Sequence, residues 1–224
     1  MQNLDSIIEK IRLAFDARTA ARDQALAQAR LVTRHAANAI RAIHRSENDL
    51  AHQHLREAHD LVSSIQTSLK DYPDLYYAGY TQDALKEFVE ATITCALIQN
   101  QPLPAPDELG MAYATYLNGL AEVVGELRRR CLDILRQGYS QEAERLLSAM
   151  DDIYSRLVTL DYPDAITNGL RRQTDLVRGI VERTRGDLTI SLREQHLESA
   201  LAALDARLTE REIDLTDHAQ HTSL

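Results

Sequence analysis

Residues 79–100 read GYTQDALKEFVEATITCALIQN, and the second half of this stretch is apolar or small on every side of a helical wheel. This pattern predicts a helix that is buried all round, because a helix at a protein surface keeps one polar face. Glu87 and Glu90 precede the buried half and are three residues apart, so they are neighbours on one helix surface. Carboxylates beside a core are costly unless they are paired, protonated or bound to a cation. The stretch therefore predicts a core helix that carries a candidate site.

A second pair of acids, Glu122 and Glu126, comes from the helix predicted next, over residues 107–137. These acids share a stripe with Gly119, within about 60° on an ideal wheel. The missing side chain of Gly119 leaves room there for a ligand or for another helix. Because only the proline-rich segment 101–106 separates the two helices, we expect them to pack antiparallel with their acids facing each other.

The rest of the chain predicts an all-α fold. Glycine and proline are few, at eight and five residues, apolar stripes recur at helical spacing, and no strand pattern is visible. The tetrapeptide DYPD occurs at 71–74 and again at 161–164, where proline breaks a helix. We expect a single-domain bundle of seven helices over residues 1–210, with a polar, frayed tail at 211–224. The predicted helices cover residues 2–45, 49–69, 79–100, 107–137, 141–160, a sixth that ends at Arg185 before Gly186, and 189–208. Ser46 and Ser140 are the predicted caps of the second and fifth helices.

The charge pattern sets limits on partners. A net charge of −9 argues against a protein that coats nucleic acid by bulk attraction. However, 22 of the 25 cationic residues are arginine, which fits either phosphate recognition or a codon bias. Four arginines fall on one face of the first helix, opposite its small residues, and this face is either solvated or a phosphate-contacting ridge. They are Arg30, Arg34, Arg41 and Arg45.

Cysteine usage and hydropathy indicate a compartment. Cys95 and Cys131 stand in apolar helical surroundings and are too few for a disulfide framework. No run approaches the roughly 18 apolar residues of a membrane span, and the first residues lack a signal-peptide core. We expect a soluble, cytoplasmic protein with buried, reduced thiols.

Four converging carboxylates would repel one another, and a divalent cation would relieve that repulsion. Oxygen-only ligands select Mg²⁺ or Mn²⁺, which can activate water against a phosphodiester. The alternative is ordinary helix-surface pairing, for example of Arg130 with Glu126. A di-iron site is disfavoured because no Glu is followed by His three residues later. His52 and His54 lie on different helix faces, which with His59 favours surface histidines over a metal site.

Several segments resemble the translin/TRAX family, in its TRAX-like, prokaryotic type. They are AIRAIHR at 39–45, GYTQDALKEFVEA at 79–91, YLNGLAEVVGELRR at 116–129 and TRGDLT at 184–189. The resemblance implies a seven-helix α/α superhelical fold and a homo-oligomer, in that family a hollow octamer. It also implies binding of single-stranded RNA, with single-stranded DNA as a further partner, and Mg²⁺-dependent endoribonuclease activity in the TRAX-type subunit.

The resemblance assigns residues as well. Glu87, Glu90, Glu122 and Glu126 match the family's catalytic, metal-binding acids. Glu122 stands where the family's nuclease has Asp, and Lys86 replaces the Gln that precedes the first Glu. The RNA-binding candidates are the four arginines of the first helix, with His44 beside them.

Three hypotheses of function follow. The first is a Mg²⁺- or Mn²⁺-dependent endoribonuclease that acts on single-stranded RNA. The second is a non-catalytic shell protein, similar to translin, that binds single-stranded RNA or DNA. The third is a helical scaffold for protein partners.

Overall fold

The computed structural model describes the backbone of residues 3–221 and the side chains of residues 3–209. The described part of the chain is helical, without a strand. Its elements in chain order are α1 (Leu4–His44), α2 (Asn48–Ser68), α3 (Pro73–Tyr76), α4 (Gly79–Ile98), α5 (Tyr113–Leu135), α6 (Gln141–Leu157), α7 (Asp164–Thr167) and α8 (Leu170–His221). The all-α prediction is confirmed, and both DYPD segments lead into the one-turn helices α3 and α7. Within the described residues no helix is long and apolar enough to cross a membrane.

The core forms where α4 and α5 lie between the α1–α2 hairpin and the pair α6 and α8. Phe88 and Ile93 of α4 and Leu127 of α5 are among its fully buried side chains. The small residues of α1 let the neighbouring helices approach, and Ala36 and Ala39 are completely buried. In the second half of residues 79–100, Ala91, Ile93, Thr94 and Cys95 are buried, whereas residues 96–99 are half-buried, so the predicted burial on every side holds only for residues 93–95.

The predicted antiparallel packing of the helices that carry the acids is wrong. Thr115 near the start of α5 bonds Gln82 near the start of α4, and Glu122 bonds Lys86 further along, so the two helices run in the same direction. The segment between Ile98 and Tyr113 makes this possible, because each extended residue spans about 3.3 Å and the segment can return the chain along the whole of α4. Its prolines favour such an extended path over a helix, so α5 begins at Tyr113 and not at residue 107.

The predicted break at Gly186 is also wrong. The chain continues as one helix, α8, through Gly186 to His221. A Cβ at Gly186 would meet no atom within 4 Å, so this glycine marks neither a turn nor a close approach. Intrinsic propensity alone costs a helix about 1 kcal/mol per internal glycine, which neighbouring helical residues readily outweigh. The frayed tail predicted for 211–224 lies beyond the described side chains.

The two predicted caps have different outcomes. Ser140 caps α6, because its hydroxyl accepts the backbone N–H of Glu142. Ser46 does not cap α2, because it adopts a positive φ of 62° in the turn and the N-cap position falls on Glu47.

Candidate functional site

The close approach of α4 and α5 brings the predicted acids together. A Cβ built on Gly119 would lie 2.7 Å from Val89 and 3.0 Å from the carbonyl oxygen of Lys86, so α4 occupies the space that the missing side chain leaves. Since the helices run in parallel, one turn of α4 faces the corresponding turn of α5. Glu87 and Glu90 therefore face Glu122 in the same layer.

Three carboxylates form the centre of the site. Glu87, Glu90 and Glu122 each offer an oxygen, and these oxygens lie within 4.8 Å of one another. Burial, followed by the charges of Glu122 and Glu87, raises the pKa of Glu90 to about 8. Burial and the charge of Glu122 also raise the pKa of Glu87. The cluster holds more negative charge than its surroundings neutralise, and the geometry and donor type suit a hard divalent cation.

Glu122 has two partners of its own. Lys86 Nζ donates to Glu122 Oε1 over 2.7 Å, and Gln173 Nε2 of α8 reaches the same oxygen over 3.4 Å. Burial disfavours the ammonium, yet the hydrogen bond and the charge of Glu122 raise the pKa of Lys86 on balance. A charged lysine therefore lies inside the acid cluster. Lys86 and Glu122, the two residues that differ from the pattern of the resembled family, bond each other.

Glu126 is held apart from the other three acids by His44. His44 Nε2 donates to Glu126 Oε2 over 2.6 Å, and Arg129 lies 3.5 Å from the same oxygen. The hydrogen bond from His44 lowers the pKa of Glu126 despite its burial, so this carboxylate stays ionised while Glu90 holds a proton near neutral pH. The alternative pairing of Glu126 with Arg130 is wrong, since Arg130 Nε donates to Glu142 over 2.9 Å.

His44 belongs to the acid site and not to the exposed arginine face. Only 4% of its side chain is exposed, whereas Arg30, Arg34 and Arg41 are exposed on α1 and Arg45 is exposed directly after it. Its Nδ1 atom is buried without a hydrogen-bond partner among the described residues. A polar cavity of about 830 Å³ opens beside it, lined by Arg45, Arg130 and Arg136 among others. Asp133 and Glu142 also line this cavity, and Glu142 pairs with Arg130, so the lining is polar with charges of both signs.

Lys86, Gln173 and the His44–Glu126 bond were not predicted as parts of the acid site. A signal for His44 exists in the sequence, because His44 follows the buried Ile40 by four positions and so lies at the edge of the apolar stripe. Gln173 had no such signal, since its approach depends on how α8 packs against α5. The prediction that Cys95 and Cys131 are buried free thiols is confirmed.

Comparison with known proteins identifies the chain's relatives. The translin family model matches residues 9–184. The uncharacterized protein MJ0175 of Methanocaldococcus jannaschii is 32% identical over 191 residues, which cover 84% of each chain. Among solved structures, AfC3PO is similar both alone and in a complex with duplex RNA, each with a TM-score of 0.78 and 33% identity over 84% of this chain and 97% of that one.

A further solved structure, apo-NeC3PO, has a TM-score of 0.71 at 22% identity over 85% of this chain and 98% of that one, which supports the fold. The family model alone covers well over half of the sequence, and the relatives match over most of their own length. The chain belongs to the translin family.

Proposed function

We propose that this protein is an endoribonuclease that depends on Mg²⁺ or Mn²⁺ and cuts single-stranded RNA. The observation that carries the proposal is the convergence of Glu87, Glu90 and Glu122, whose oxygens lie within 4.8 Å of one another. Acids on a helix surface normally point to solvent, where water solvates each carboxylate separately. Here two helices hold the three acids half-buried beside the core.

The three carboxylates would hold the cation. Bound Mg²⁺ would act as a Lewis acid and activate a water molecule for attack on the phosphodiester. The oxygen-only donor set fits this ion, and a bound cation would offset the burial and the neighbouring acids that raise the pKa of Glu90. Glu122 offers the longer side chain in place of the family's Asp, and Gln173 helps to fix its position.

Glu126 is suited to a different role. Its pKa is lowered by the hydrogen bond from His44, so the carboxylate is ionised and can orient the attacking water by accepting a hydrogen bond from it. His44 orients this carboxylate through its Nε2–H group. Two acids with pKa values moved in opposite directions are a common arrangement in hydrolytic sites.

RNA binding is supported by the arginines and by the relatives. Arg45, Arg130 and Arg136 line the cavity beside His44, together with Asp133 and Glu142. Arg30, Arg34 and Arg41 form an exposed cationic face along α1. A guanidinium group pairs well with phosphate oxygens. The similar protein AfC3PO has been solved with duplex RNA, so duplex RNA belongs in the tests as well as single-stranded RNA and DNA.

The test is cleavage of end-labelled RNA by the full chain, with Mg²⁺ and with EDTA. We expect cutting of the single strand only with Mg²⁺, and we expect Glu87→Gln and Glu126→Gln to lower the rate by at least about 100-fold. Glu198→Gln, at an exposed position on α8, is the matched control and should cut normally. Filter binding of the same RNA shows whether the variants still bind it. Cutting by both site variants at the wild-type rate would show that the acids are not the catalytic centre.

A second candidate, the non-catalytic shell that binds single-stranded RNA or DNA, is favoured by Lys86. Its ammonium lies 2.7 Å from Glu122 Oε1 and supplies part of the positive charge that a metal would bring. This candidate predicts salt-sensitive RNA binding without turnover in Mg²⁺. Arg34→Ala combined with Arg41→Ala would then weaken binding and reduce the salt slope by about 1.4, at roughly 0.7 per phosphate contact on a single strand.

We also propose that the protein works as a homo-oligomer, an octamer as in the family. Apolar side chains on α1 and α8 support this proposal, because they are exposed in the single chain. On α1 they include Ile7, Ile8, Ile11 and Phe15, and on α8 they include Leu197, Leu201, Leu204 and Leu208. Contiguous exposed apolar surface of this kind marks interaction sites.

A further inference from the structure

A second cluster of metal-ligand types lies between α1 and α2, formed by His35, His54 and Glu57. His35 Nδ1 and His54 Nδ1 lie 2.8 Å and 3.2 Å from Glu57 Oε2. The two Nδ1 atoms are 3.2 Å from each other. We propose that these three residues bind a divalent transition-metal ion, Zn²⁺ foremost, at a site separate from the acid cluster.

No arrangement of protons satisfies all three contacts. If both Nδ1 atoms carry hydrogen, each can donate to Glu57 Oε2, but two N–H groups then face each other across 3.2 Å. If one Nδ1 atom is bare, it can accept from the other ring, but its lone pair then faces the carboxylate oxygen. A cation bound between the three atoms would accept a lone pair from each of them, so no two N–H groups and no two lone pairs would face each other.

The spacing suits zinc. Zinc binds histidine nitrogen and carboxylate oxygen at about 2.0–2.2 Å, so its tetrahedral ligand atoms lie about 3.3 Å apart. The observed separations of 2.8 to 3.2 Å are slightly shorter, and a small outward movement of the side chains would give the zinc geometry. Three protein ligands leave a fourth position for water or another ligand.

The surroundings hold the ligands in place. Gln53 Nε2 donates to Glu57 Oε1 over 3.1 Å, which leaves Oε2 directed at the two imidazoles. The Glu57 side chain is 41% exposed, so solvent reaches the carboxylate. The side chains of His35 and His54 are only 17% and 19% exposed, and Ala36 beside them is completely buried. Partners of this kind orient metal ligands in known sites.

The site is distinct from the acid centre in position and in chemistry. His35 and His44 are nine residues apart on α1, and this spacing places them on opposite faces of an ideal helix. His35 thus faces α2, whereas His44 faces α5. Two nitrogens and one oxygen select Zn²⁺ and its neighbours, whereas oxygen alone selects Mg²⁺. Bound zinc would fasten the α1–α2 hairpin at its middle.

The test is titration of the metal-free full chain with Zn²⁺ by calorimetry and with Co²⁺ by visible absorption, which reports tetrahedral coordination. We expect one Zn²⁺ per chain at this site and a tetrahedral Co²⁺ spectrum. His35→Asn and His54→Asn should each remove that spectrum and lower the Zn²⁺ affinity at least about 100-fold, while Gln53→Ala should lower it about 10- to 100-fold.

Two control variants separate this site from other binding. His52→Asn changes an exposed histidine of the same helix, whose Nε2 contacts Gln99, and should leave the spectrum unchanged. Glu87→Gln alters only the acid centre and should also retain it. Circular dichroism of each variant establishes folding, and Glu57→Gln provides a second route if a histidine variant unfolds. A wild-type chain without tetrahedral Co²⁺, or a spectrum that survives in the folded His35, His54 and Glu57 variants, would overturn the proposal.

Discussion

At the scale of single residues, neighbours determine what each acid can do. Glu90 and Glu126 are both half-buried glutamates, yet burial beside other acids raises the pKa of Glu90, whereas His44 lowers that of Glu126. The sequence could predict that Glu87, Glu90, Glu122 and Glu126 form a group, because their spacing places each pair on one helix surface. It could not predict the difference between Glu90 and Glu126, which depends on the contact of His44 of α1 with Glu126.

Lys86 offers the sharpest prediction at this scale. Its ammonium bonds Glu122 Oε1 and so competes with a cation for that oxygen. Lys86→Gln restores the residue that the family pattern has and removes the competing charge. We expect the Mg²⁺ affinity, measured by calorimetry, to rise about fivefold, which corresponds to about 1 kcal/mol.

Lys70→Gln is the matched control for this measurement, because Lys70 is exposed at the end of α2 and outside the acid cluster. An unchanged Mg²⁺ affinity in Lys86→Gln would mean that the ammonium leaves the site when the cation binds, and the competition argument would then be wrong. If the variant also gains RNA cleavage, Lys86 is what suppresses activity in the natural chain.

At the scale of helices, the local pattern predicts most of the helical residues but not how the helices connect. Residues 79–98 form a helix as predicted, with residues 93–95 buried and the last turn half-buried. The predicted direction of α5 relative to α4 is wrong, because the length of a loop alone does not reveal its path. The break at Gly186 was wrong for a related reason, since a glycine signals a helix end only when the chain must turn there.

The contact between α4 and α5 leads to a stability prediction. A methyl group at Gly119 would overlap Val89 at 2.7 Å, so Gly119→Ala should force the two helices apart. We expect a loss of about 1–3 kcal/mol in the free energy of unfolding, measured with denaturant, as for other overpacked cores. The Mg²⁺ affinity should fall as well, because the acids of the two helices separate.

Gly125 on the same helix supplies the control. Gly125→Ala meets no atom within 4 Å and should stabilise the protein by up to about 1 kcal/mol, because alanine is the better helix former. Equal effects of the two substitutions would show that the approach of α4 to α5 at Gly119 is not as close as the structure has it.

At the scale of the whole molecule, the single chain leaves apolar surface uncovered. The first turns of α1 and the outer half of α8 extend beyond the packed core, and Phe15 and Leu197 are 64% and 61% exposed. Leu197, Leu201, Leu204 and Leu208 share one face of α8 and form an apolar seam, and within the described chain no other helix covers that face. A seam without an internal partner is what an oligomer of identical chains would use.

The prediction is that wild-type protein has a mass in solution that is a multiple of the chain, close to eight times 25.2 kDa for an octamer. Leu201 and Leu208 are seven residues apart and lie on the same side of α8. Replacement of both by Glu places two charges at the apolar seam, where burial without a partner is costly, so the assembly should dissociate to smaller species. Light scattering after size exclusion measures the mass directly.

Ser199→Glu places a charge on the opposite side of the same helix and should leave the mass unchanged. If the leucine variant keeps the wild-type mass, α8 is not the contact between chains, and the stripe on α1 remains as the surface to test. If the wild type itself is a monomer, the assembly proposed from both stripes is wrong. The RNA affinity of the dissociated variant then shows whether one chain is enough to bind RNA. The arginine face of α1 is intact in this variant, so any loss of affinity comes from the loss of the neighbouring chains.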